Sequence, residues 1–92
     1  MSDSQTPESV SVYAVIMNMV ETMATVAWMK MGLQPDPSTG KIEKDMEQAK
    51  VAIDLATHLA SYLEPQLDEA DKRHVHSLVR DLRMNYVEKS KD

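Results

Sequence analysis

Apolar residues recur at three- and four-residue spacings along three stretches of this chain, and nowhere do they alternate with the period of two that a strand needs. That pattern predicts three helices, at about residues 7–31, 43–63 and 69–88, with residues 1–6 and 89–92 flexible. The breaks between them are chemical. QPDPSTG at residues 34–40 puts two prolines and a glycine into seven positions, which no continuous helix tolerates. Pro65 stops the second helix by pushing the residue before it out of helical geometry. Asp68 is placed to cap the third, with Asp71 as an acid in its first turn. For the first helix, Thr6-Pro7-Glu8 supplies a hydroxyl cap, a proline whose missing N–H costs nothing, and an acid; Ser9 or Ser11 could cap it instead. Gly32 offers the left-handed residue that closes that helix.

The fold class is therefore all-α, a single domain of three helices of about 30 Å each running up, down and up. The third helix carries one narrow apolar stripe of Val75, Leu78, Val79, Leu82 and Tyr86. The second is broader: Met46, Ala49, Ile53 and Ala60 form a stripe that Ala56, Leu59, Leu63, Leu55 and Tyr62 extend around the helix. The first helix is the outlier. Tyr13, Ile16, Met17, Val20, Ala24, Ala27, Trp28 and Met31 make an inward stripe, with Trp28 as the largest core side chain. A second set, Val12, Val15, Met19, Met23, Val26 and Met29, lies beside and behind it. Together they span an arc of roughly 220°, against about 100° for an ordinary surface helix. Either the other two helices cover most of this arc, or its second face packs on another chain. The leading expectation is the same helix of a second subunit, a homodimer that completes a larger helical bundle. A helix of a different protein is the other partner this face could take.

Composition narrows the chemistry. With 42% hydrophobic and 27% charged residues in 92, the chain is ordinary for one globular domain, but it has no Phe and one Trp, so Met, Val, Leu and Ala must fill the core. There is no Cys, which excludes disulfides, thiolate metal sites and cysteine nucleophiles. The first nine residues have neither basic residues nor an apolar run, unlike a secretory signal. Within residues 10–33 polar side chains interrupt the apolar sequence, and its longest unbroken run, residues 12–17, is far short of the roughly 18 that a membrane span needs. A soluble, cytoplasmic protein without membrane contact is the expectation. His74 and His76 point in directions about 200° apart on a helix and cannot share a metal. Asp54 with His58, and Asp71 with His74, each lack a third ligand. No nucleophile motif or phosphate loop occurs. No catalytic residue, metal, cofactor or small-molecule substrate is therefore expected. Arg73, Arg80 and Arg83, with His76, form the one basic stripe, a candidate contact for nucleic acid in a regulatory role. A net charge of −5 and the lack of interleaved aromatics make this the second choice. Pairing of these arginines with acids of the second helix or of another subunit is preferred, Asp54–Arg83 being one such pair.

Five segments carry a resemblance: SVYA at residues 11–14, AWMKMGL at 27–33, PDPSTG at 35–40, DMEQAKVAIDL at 45–55 and DLRMNYV at 81–87. In this order they resemble a bacterial family of small all-helical proteins known only as a domain of unknown function. The acidic, His-containing stretch at residues 69–76 is less like the family. The resemblance implies an all-helical domain of bacterial origin and brings no activity, ligand or site residue with it.

Overall fold

The computed structural model of the protein describes residues 9–91. They form helix α1 (Val12–Lys30), helix α2 (Met46–Leu63), a short 3-10 turn (Glu64–Gln66) and helix α3 (Glu69–Ser90), with no strand among the described residues. Each helix begins on a side chain that accepts a backbone N–H, satisfying a donor the first turn would otherwise leave unpaired. Ser11 accepts from Ala14 at 3.4 Å, Asp45 from Gln48 at 3.1 Å and Asp68 from Asp71 at 2.8 Å.

These caps move two of the expected boundaries. Helix α1 starts at Val12, since Ser9 and Val10 are non-helical and Ser11 is the cap. Thr6, Pro7 and Glu8, with the 1–6 tail, lie outside the described residues. Helix α2 starts at Met46 instead of residue 43, because the Asp45 N–H is held by the Lys30 carbonyl at 2.7 Å while its carboxylate caps the helix. At the other end α3 runs to Ser90, so residues 89 and 90 are helical. The Lys44 ammonium donates to the Lys89 carbonyl at 3.1 Å and ties that last turn down.

The end of α2 departs from expectation: Glu64, the residue before Pro65, keeps helical angles (φ −51°, ψ −46°), and the α-helix passes into the 3-10 turn Glu64–Gln66, where the proline sits at a position whose missing N–H costs nothing. The end of α1 follows local chemistry. Gly32 takes φ +81°, its N–H bonding to the Met29 carbonyl and that of Leu33 to the Trp28 carbonyl, both at 3.0 Å. This paired closure satisfies the carbonyls of the last turn and requires a residue with a low left-handed penalty. The 35–40 segment then folds on Asp36, whose carboxylate accepts from Ser38 at 2.7 Å and whose carbonyl accepts from Gly40 at 2.7 Å.

Core membership gives the topology. Ala24, Ala27 and Met31 share one cluster with Ala49, Ala52, Ile53 and Leu82, while Val20 shares the other with Ala60, Leu63 and Val75. Rising numbers on α1 meet falling numbers on α2, and rising numbers on α3 meet falling numbers on α2, so the helices run up, down and up. The packing is uneven. Helix α1 lies along most of α2, whereas α3 makes a smaller contact with α2 and barely touches α1. The result is flat, with extents of 50 × 30 × 18 Å.

Alanine lines the α1–α2 seam. Ala24, Ala27, Ala49, Ala52, Ala56 and Ala60 are all buried, and small side chains let two helix backbones approach closely. At about 100° per residue, position 28 falls to the side of the Val20, Ala24, Ala27 and Met31 stripe and not on it. Trp28, expected as the largest core side chain, is only partly buried beside the first cluster, and Tyr13 is exposed. The large fully buried side chains are Met31, Leu63, Leu82, Val20 and Val75. Because Ala27 has no exposed surface, Ala27→Leu should overpack the seam and destabilise the fold by about 1–3 kcal/mol. Urea unfolding measures this, and an unchanged midpoint would mean the seam has room to spare.

Candidate interaction surface

Helix α2 has two flanks beside its core stripe, and they differ in chemistry. At about 100° per residue, Thr57 and Ser61 fall on the flank turned towards α3, with which they line a groove of ≈ 440 Å³. Val51, Leu55, Leu59 and Tyr62 fall on the opposite flank. Helix α1 divides in the same way. At the same angular step Met17 and Trp28 fall on one side of its buried Val20, Ala24, Ala27 and Met31, and Val12, Val15, Met19, Met23 and Val26 fall on the other, the side on which Leu55 and Leu59 of α2 lie.

The two outer flanks adjoin. Leu55 and Leu59 of α2 and Val15, Met19 and Met23 of α1 line one groove of ≈ 210 Å³, completed by Asn18 and Thr22, with no charged side chain in it. Val12, Val15, Met19, Val51, Leu55 and Tyr62 are each between 41% and 65% exposed. Such a contiguous apolar face is unusual on a protein that works alone.

Of the six α1 residues singled out from the sequence, Val12, Val15 and Met19 are exposed on this face. Met23 and Val26 are half-buried against the first core cluster, and Met29 is half-buried. The contribution of α2 is new. Leu55 and Tyr62 are read from sequence as extensions of an inward stripe, yet they are exposed, and Val51 is not singled out at all. The available signal is the 51–55–59–62 spacing, which repeats on α2 the three-and-four rhythm of 12–15–19–23–26 on α1. By length and composition alone, α1 is also apolar enough to cross a membrane, with a mean hydropathy of 1.3. The same surplus of apolar positions gives it both a seam with α2 and an outer face.

The polar groups sit elsewhere and mostly engage one another. The Arg83 guanidinium donates to the Thr57 hydroxyl at 3.2 Å, and Arg80 lies 3.8 Å from its neighbour Asp81. Arg73 has no hydrogen bond or ion pair among the described residues. The expected pairing of this stripe with acids of α2 does not form. Asp54 is instead taken by Lys50, one turn away on the same helix, at 3.0 Å. The hydrogen bond and charge of Asp54 raise the Lys50 pKa above its ordinary value. A contact that the sequence does not disclose joins His76 Nε2 to a Glu64 carboxylate oxygen at 2.8 Å, across the corner between α2 and α3. His58 meets Tyr62 edge-on, with ring centres 5.3 Å apart. Among the described residues no three His, Asp or Glu side chains are grouped to hold a metal.

Arg83 makes one exposed bond to a neutral hydroxyl, so Arg83→Met should change stability by no more than about 0.5 kcal/mol. Urea unfolding checks this. A loss several times larger would give Arg83 a structural weight that this geometry does not.

Neither a curated protein nor a solved structure matches the chain. A family model does. It spans residues 13–88, and so takes in α1 almost from its first residue, α2, and α3 to within a turn of its end. The chain belongs to the family described as Domain of unknown function (DUF1844).

Proposed function

We propose that this protein is a non-enzymatic interaction module that works by docking the α1–α2 face on another helical surface. One observation carries the reading: a charge-free groove at Met19, Met23, Leu55 and Leu59, continued by exposed Val12, Val15, Val51 and Tyr62. Burying an apolar side chain is worth roughly 1.5–3 kcal/mol, so several together favour association strongly. Methionine suits such a surface because its unbranched, polarizable side chain adapts to the shape of its partner.

The basic stripe supports a nucleic-acid role less well. Arg83 is engaged by Thr57 and Arg80 lies beside Asp81, and the chain as a whole carries a net charge of −5. Counterion release, which drives nonspecific binding to a duplex, needs a dense positive surface.

Site-specific photo-cross-linking inside the producing cell tests the proposal. A photoreactive residue at position 19 should give discrete protein adducts, and the same residue at the exposed position 73 of α3 should give few. Adducts at 73 with none at 19 would remove the face from the function.

A further inference from the structure

We infer that the occupant of the α1–α2 face is a second copy of this chain, stacked face to face about a two-fold axis through the central groove. The inference rests on the interaction reading above and names its partner. Three observations carry it.

The first is charge. In a two-fold interface, residues near the axis face themselves or their close neighbours, so a charge there meets its own kind. A different partner can use complementary charges for recognition, and such interfaces normally do. The groove of Val15, Met19, Met23, Leu55 and Leu59 contains no charge and only Asn18 and Thr22 as polar groups. That composition is what self-stacking requires.

The second is area. Helices α1 and α2, with 19 and 18 residues, are each about 28 Å long and about 10 Å wide. Side by side they present a flat footprint of about 550 Å² per copy, and so about 1,100 Å² for two, before the relief of the side chains is added. A specific interface needs about 1,000 Å².

The third is shape. A compact domain of this length has a radius of gyration of about 12 Å, whereas this chain has 15.4 Å and a short axis of 18 Å. The α1–α2 pair is one layer of a bundle. Stacking two such layers makes a four-helix core from two copies of α1 and α2, with each α3 on the outside. The wide apolar arc of α1 then has a covered surface on both sides.

Sedimentation of the purified full chain at micromolar concentration should give about twice the 10.4 kDa of one copy. Val51→Glu alters the most exposed side chain of the face, at 65%, and leaves the alanine seam untouched. It should retain the helical circular dichroism while weakening association by about 100-fold or more, because it buries an unpaired charge. Met84→Glu, at an exposed position of α3 on the opposite flank of α2 from the face, should leave the dimer intact. The chain has no cysteine, so Met19→Cys provides a single thiol that should link to its copy on mild oxidation, whereas Met84→Cys should not. A wild-type monomer, or a dimer indifferent to Val51→Glu and unlinked through Met19→Cys, would overturn the inference. If the purified protein is monomeric while position 19 cross-links in cells to a heavier protein, the interaction reading stands and the second copy falls. Capture of the wild type by vesicles of neutral and anionic phospholipid, with loss of the dimer, would assign the face to lipid and overturn both.

Discussion

The close approach of α1 to α2 through alanine is the constraint from which the rest of the molecule follows. Ala24 and Ala27 on one side and Ala49, Ala52, Ala56 and Ala60 on the other leave little space between the helix backbones. A seam of this kind is dense and costs almost no side-chain entropy. It also buries little apolar area per residue, so the larger stabilising contributions must come from the bulkier side chains along its two edges. Along one edge, Leu63 of α2 is buried with Val75 of α3, and Leu82 of α3 is buried against Ala49, Ala52 and Ile53 of α2. Along the other, Val15, Met19, Leu55 and Leu59 border an open groove.

Local signals in the sequence proved sufficient wherever the structure is decided locally. Gly32 and Asp68 mark an end and a start, and each acts within a few residues of itself, whereas Pro65 is absorbed into a 3-10 turn whose first residue, Glu64, keeps helical angles. The surplus on α1 was also legible, because an excess of apolar positions on one helix can be counted without knowing its neighbours. What periodicity does not contain is the side of α2 on which α3 settles. Leu55 and Tyr62 adjoin the core stripe on a helical wheel, and only the placement of α3 on the Thr57–Ser61 flank leaves them in the open. Val51, between Lys50 and Ala52, gains meaning only once its flank of α2 is known to lie open beside α1. Trp28 departs from expectation for a related reason: size favours burial, but its position beside the Val20, Ala24, Ala27 and Met31 stripe leaves the indole only partly covered at the edge of the first cluster. Among the polar contacts, Lys50 reaches Asp54 within one helical turn and pre-empts the more distant Arg83, as short-range pairs generally do. The Glu64–His76 contact bridges twelve residues and two elements, and nothing in the spacing announces it.

The contrast between the flanks of α2 bears on which of them is built to face water. The flank beside α3 is only partly covered, and polar contacts bridge its groove: Thr57 with Arg83 and Glu64 with His76, with Ser61 between them and Val79 and Met84 also in the lining. On the other flank Leu55 and Leu59 face Val15 and Met19 across a groove without charge, and Val51 and Tyr62 are exposed on the same side of the helix. A single helix thus carries both solutions, offset by about half a turn, and the same α1–α2 layer supports both. Scattered exposed apolar residues would need no explanation. Half of the large exposed apolar side chains among the described residues, Val12, Val15, Met19, Val51, Leu55 and Tyr62, lie on the one flank without a helix of this chain against it, and the docking proposal rests on that concentration.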